Sequence, residues 1–228
     1  MEHFFAELDK IAAVKWAEIH KMPFWQHLRN EGLNRELYYL LMREIYHYTR
    51  HNTQNQALAA VNVFSDQLPL LRFATHHAYA EAGHDQMVIH DLAAADYDTE
   101  PVANSRPLPE SLAFISYLYR IAMLEGAVAR LGYSYWAESC YTHIRDLTDA
   151  MRAMGLGDDQ MTFFVEHSTI DEAHFNGVRR AIKEAVRSEE DRVAIRRVLE
   201  ESLHLQGLLL DGVFRAYVAG RALAATSR

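Results

Sequence analysis

Apolar residues recur at intervals of three and four along most of the chain, and no Asn-Gly or Asp-Gly hairpin signal separates short alternating runs; Asp211-Gly212 lies inside a helical pattern. The periodicity predicts helices over roughly 3–20, 34–64, 69–95, 109–131, 133–154, 159–187 and 189–223. The five prolines, at positions 23, 69, 101, 107 and 109, fall between long helical stretches rather than inside them, as befits a residue without a backbone N–H. The fold class is therefore all-α, with seven helices. YDTEPVANSRPLPE, which carries three of the prolines, is the one extended linker, and GLGD at 155–158 is a helix stop and restart. Neither reads as a domain boundary, so residues 1–228 are expected to form a single domain.

The polar residues that break into the apolar stripes carry the chemistry. In HSTIDEAH, residues 167 to 174, the steps of four and three place His167, Asp171 and His174 within an arc of roughly 60° on a helix. The same azimuth holds Phe163 and Phe164 before the motif and Val178, Ile182 and Ala185 after it, while Arg179, Arg180, Lys183 and Glu184 mark the flanks. The three polar groups are thus expected to point inward. HAYAEAGH repeats the spacing with His77, Glu81 and His84, among Leu70, Ala74, Val88 and Leu92. A lone carboxylate, Glu125, stands in a stripe formed by Phe114, Leu118, Ile121, Ala129 and Gly132.

Burying one carboxylate costs several kcal/mol unless it is paired, protonated or metal-bound. Three such groups close together call for compensating positive charge. The set Glu81, His84, Glu125, His167, Asp171 and His174 offers three carboxylates and three imidazoles, donors that suit iron, manganese or zinc and that bundles project inward to build dimetal sites. Two ferrous ions with three carboxylates leave a formal charge of about +1, which one anionic substrate group neutralises.

Helix 34–64 has an inward row of Leu41, Ile45, Tyr48, Asn52, Asn55, Ala59 and Val63. Tyr48, Asn52 and Asn55 either face a substrate pocket or bond to one another and to ligands such as His84; the pattern alone does not choose. Amide and phenol groups suit a polar, amino-acid-like substrate better than a long acyl chain. Arg43, Arg50, Arg120 and Arg215 are the arginines considered for its carboxylate.

Composition removes other classes. With 23 Lys plus Arg against 31 Asp plus Glu, the net charge of -8 argues against nucleic-acid binding. No uninterrupted run of about 18 apolar residues predicts a membrane span, and MEHFFAELDK lacks the features of a signal peptide. The single cysteine, Cys140, cannot form an internal disulfide. A cytoplasmic protein is expected. The last amphipathic segment, HLQGLLLDGVFRAY, offers a face for a homodimer.

These residues resemble the haem-oxygenase-like diiron oxidases, whose seven-helix fold is shared with thiaminase-like proteins and pyrroloquinoline quinone synthase. EAGH is similar to the family's Glu-x-x-His pair, Glu125 in YRIAMLEGAVARLG to its mid-chain glutamate, and HSTIDEAH to its closing His-x3-Asp-x2-His segment. His77 exceeds that pattern and is assigned to support rather than ligation. The resemblance implies two ferrous ions, with dioxygen as cosubstrate, and admits an external electron donor. It also implies oxidation of a small carboxylate substrate, an amino acid or derivative, by N-oxygenation or oxidative C–C cleavage in specialised-metabolite biosynthesis. Its alternatives are a fatty-acid oxidative decarboxylase and a non-catalytic metal-binding regulatory protein. A thiaminase-like enzyme would need a nucleophilic cysteine near Glu125, and MLEGAVARLGYSYW has none.

Overall fold

A computed structural model of the chain describes residues 1–226, the side chains of 167–173 and 223–226 excepted. Among the described residues there are twelve α-helices, three short 3-10 turns and no strand. No helix among them is long and apolar enough to cross a membrane.

The chain opens with α1 (Glu2–Ile19) and α2 (Pro23–Glu31). The latter lies where the periodicity showed only a connection; Met22 is extended, and Pro23 supplies the first helical residue, where no N–H is needed. The expected helix over 34–64 is two: α3 (Arg35–Thr49), capped by the Asn34 side chain on Leu37 N, and α4 (Asn52–Ala60). That over 69–95 divides into α5 (Leu68–Ala80) and α6 (His84–Ala94), because Gly83 adopts φ +97, a left-handed conformation that a β-carbon would disfavour. The proline-rich linker holds a short helix, α7 (Glu100–Asn104).

The expected boundary at residue 132 is displaced in both directions. α8 (Pro109–Leu124) ends at Glu125, Gly126 takes φ +80, and α9 (Gly126–Ala137) runs through residue 132 without interruption. A 3-10 turn at Cys140–Thr142 then leads to α10 (Arg145–Ala153). Gly155, at φ +91, stops that helix where GLGD predicts it. The two final helices, α11 (Thr162–Ala185) and α12 (Glu189–Thr226), follow the expected spans closely.

α12 packs along α9, α8, α1 and α3, so Leu209, Leu210, Val213 and Tyr217 of the last amphipathic segment are buried within the chain itself. Buried carboxylates tie helix starts to distant elements. Asp91 of α6 accepts from Thr162 N at 2.9 Å, Thr162 Oγ1 at 2.6 Å and Phe163 N at 3.0 Å. It therefore caps α11 from another helix and fixes where that helix begins. Glu44 does the same for α8, accepting from Leu108 N and Ser111 Oγ.

Candidate metal centre

Glu81 terminates α5, and the left-handed Gly83 turns the chain so that His84 can open α6. The Glu-x-x-His pair is thus carried on a corner rather than on one continuous helix. Glu81 Oε2 lies 3.4 Å from His84 Nδ1, and Asn52 Nδ2 donates to the same oxygen at 3.2 Å. Across the site, Glu138 terminates α9. Its Oε1 is 2.8 Å from His77 Nε2 and its Oε2 is 3.3 Å from His174 Nδ1 on α11. His77 Nε2 also lies 3.6 Å from Glu81 Oε1, so one imidazole stands between the two carboxylates. Donor atoms of His77, Glu138 and His174 all fall within 4.8 Å of one another.

Glu81 is 9 % exposed and Glu138 6 %. Burial alone would raise both carboxyl pKa values, but bonding to His174 and His77 and their charges hold Glu138 far below the ordinary carboxylate range. Glu81 is also lowered on balance, with burial opposed by bonding to His84 and the charge of His77. Burial depresses His84, yet bonding to Glu81 and the charges of Glu81, Glu138 and Glu166 raise it overall above 6.5. Protonated His84 therefore favours the metal-free fold below pH 6.5, and that contribution is lost as pH rises through the raised folded value. A metal requires the imidazole unprotonated. Ferrous loading is expected to weaken as pH falls from a point above 6.5, by about tenfold per unit for one competing proton. Anaerobic titration between pH 8 and 6 measures this, and a flat affinity down to pH 6.5 would contradict it.

Of the expected ligands, the structure brings together Glu81, His84 and His174. The side chains of His167 and Asp171 lie outside the described residues. Glu125 is not brought to this cluster: it pairs with Arg120 at 2.7 Å and with Arg197 of α12. Its inward azimuth assumed a helix continuing through residue 125, and the break at Gly126 removes that premise. The carboxylate that does face His77 and His174 is Glu138, which is not among the expected ligands. The available signal was the row Arg130, Ser134 and Glu138 at intervals of four in an otherwise aromatic segment. His77, assigned to support, sits within the cluster itself.

A cavity of about 120 Å³ adjoins the cluster, lined by His77, Glu81, His84 and Glu138 together with Tyr48, Asn52, Arg130, Tyr133 and the apolar side chains of Leu41, Ile45, Phe163 and Leu210. Tyr48 and Tyr133 hydroxyls are 2.6 Å apart, and Tyr133 donates to Asn52 Oδ1 at 3.3 Å. Burial pushes both phenol pKa values up, so both remain protonated donors. Asn55 stands behind the wall, where it accepts from Arg130. Trp16 and Trp25 also line the cavity, and their indole N–H groups have no partner among the described residues. Buried donors of this kind ordinarily meet a ligand or an ordered water.

The donor set fits iron: buried carboxylates with one buried and two half-buried imidazoles, from α5, α6, α9 and α11, converging between helices. The sequence profile of the family described as iron-containing redox enzymes matches residues 40–207. A solved domain of unknown function with a haem-oxygenase-like fold, from Shewanella denitrificans, is 36 % identical, with a TM-score of 0.91 over 95 % of this chain and 94 % of its own. A TenA homologue from Pseudomonas syringae shares the fold at 14 % identity, with a TM-score of 0.77 over 93 % of each chain. A CADD-like protein of unknown function from Nostoc punctiforme does so at 15 % identity, with a TM-score of 0.75 over 94 % of this chain and 97 % of its own. No curated protein matches the sequence significantly. The chain belongs to the iron-containing redox enzyme family and has the all-α haem-oxygenase-like fold.

Proposed function

We propose that the protein is a dioxygen-dependent non-haem diiron oxidase acting on a compact carboxylate substrate, an amino acid or a derivative of one. The observation that carries this reading is the buried pair Glu81 and Glu138, interleaved with His77, His84 and His174 beside a cavity. Glu81, His84, Glu138 and His174, with His167 and Asp171 from α11, would hold two ferrous ions, which supply the reducing electrons and the oxygen-binding positions for activating dioxygen.

The protein's own groups have separable tasks. His77 holds the Glu138 carboxylate through Nε2, and Asn52 holds Glu81, so the two oxygen donors are oriented by partners that are themselves buried. Tyr48 and Tyr133 present protonated hydroxyls on the cavity wall, while Leu41, Ile45, Phe163 and Leu210 keep bulk water from it. The volume of about 120 Å³ favours a compact substrate over a long acyl chain, since a cavity of roughly 150 Å³ accommodates benzene.

The test is anaerobic loading with ferrous iron followed by exposure to oxygen, with and without a panel of amino acids. The expected result is two irons per chain and oxygen uptake accelerated by a subset of the panel. Failure to bind a second iron would end the diiron reading. Two bound irons with no substrate-dependent uptake would leave a metal-holding regulatory protein.

A further inference from the structure

Arg130 of α9 is 2 % exposed and lines the cavity, yet its polar partners are neutral. Nε and Nη2 both donate to Asn55 Oδ1, the former at 2.8 Å, and Nη1 donates to Ser134 Oγ at 3.1 Å; the guanidinium carbon lies 4.7 Å from the Tyr133 ring centroid. A guanidinium has five N–H groups. Three are engaged, which leaves one on each terminal nitrogen, the complement that the two oxygens of a carboxylate accept. No carboxylate among the described residues forms an ion pair with it. Three of the four arginines considered from the sequence are already paired: Arg43 with Glu44, Arg120 with Glu125, and Arg215 with Glu110. The fourth, Arg50, is exposed, over the Tyr46 ring.

Burial lowers the Arg130 pKa, opposed chiefly by Tyr133 and Glu81. Even so, a guanidinium keeps its proton, so a full positive charge stands buried on the cavity wall beside the carboxylate cluster. Loading that cluster with ferrous ions adds positive charge and strengthens the demand for an anion.

We propose that Arg130 anchors a carboxylate group of the molecule that fills this cavity. Calling that molecule the substrate rests on the oxidase reading above; the anchoring itself does not. Asn55 and Ser134 hold the guanidinium plane, and the carboxylate supplies its missing counter-charge.

The protein carries its own reporter, because all three tryptophans, Trp16, Trp25 and Trp136, line the cavity. Intrinsic fluorescence of the protein, iron-free and iron-loaded, is titrated with butyrate and with its neutral isostere butyramide. Butyrate is expected to bind saturably and at least about tenfold more tightly, a preference that Arg130→Met removes and Arg130→Lys, with its charge but not its fork, reduces. Equal binding of the two probes, no response to butyrate, or an unchanged preference in a folded variant would overturn the proposal. Iron content is measured on the same samples. Lost butyrate preference with two irons retained assigns Arg130 to ligand binding; lost iron with the preference retained would make it a counter-charge for Glu81 and Glu138 and overturn the proposal. Absence of oxygen-dependent turnover in a protein that still prefers butyrate would instead refute the oxidase reading alone.

Discussion

Glu138→Gln is expected to lower iron content by at least one ion per chain and to reduce oxygen-dependent turnover by about 100-fold or more, while Glu125→Gln leaves both unchanged. Glu138 is the buried carboxylate in contact with His77 and His174, and its depressed pKa keeps it ionised throughout the neutral range. The amide retains the shape and removes the charge and one acceptor oxygen. Loss of groups that merely orient a ligand costs 10- to 100-fold in metal affinity or activity, so removal of a donor belongs at or beyond that range. Glu125, by contrast, ties Arg120 and Arg197 at a partly exposed helix junction. Its loss should cost about 1 kcal/mol of stability, as is usual for such pairs. Colorimetric iron analysis after anaerobic loading, with thermal melting of both variants, gives the comparison. An iron-deficient Glu125→Gln beside an iron-replete Glu138→Gln would reverse the assignment.

The contrast between these two glutamates shows what periodicity can and cannot reach. The direction of a helix face is legible only as far as the helix continues. His174 follows α11, a long helix read nearly to its ends, and its side chain does approach the cluster. Glu81 and His84 meet although the helix carrying them breaks, because both lie next to the break and the turn at Gly83 brings them face to face. Glu125 lies at another glycine break and turns away to the arginines. A glycine in a helical pattern is compatible with either a straight passage, as at Gly132, or a left-handed corner, as at Gly126, and only tertiary packing distinguishes them. Arg130 and Glu138 escaped for the same reason, since the expected boundary at residue 132 divided the one helix on which both stand.

Gly132→Ala is expected to destabilise the fold by about 3 kcal/mol, because the added methyl group has no room to relax into. α9 crosses α12 at this residue, and a β-carbon there would collide with the backbone carbonyl of Ile195 and stand 2.8 Å from Leu199 N. Those obstacles are main-chain atoms within a long helix, which cannot rotate aside as a side chain would. α9 must move as a body, and it carries Arg130, Tyr133 and Glu138 to the site. The loss of stability should therefore be accompanied by weaker ferrous binding, which a simple core cavity far from the cluster would not produce. For a chain of this size, about 3 kcal/mol corresponds to a fall in melting temperature of roughly 6–12 °C. Gly177→Ala provides the control: it lies three residues from His174 on α11, its β-carbon would meet, among the described residues, Phe73 at an ordinary 3.8 Å, and replacing a helical glycine by alanine should be neutral or stabilising by up to about 1 kcal/mol. Melting curves and iron titrations of the two variants separate a tight helix crossing from a general intolerance of added volume. Equal behaviour of the two would remove Gly132 as the point that sets the distance between α9 and α12.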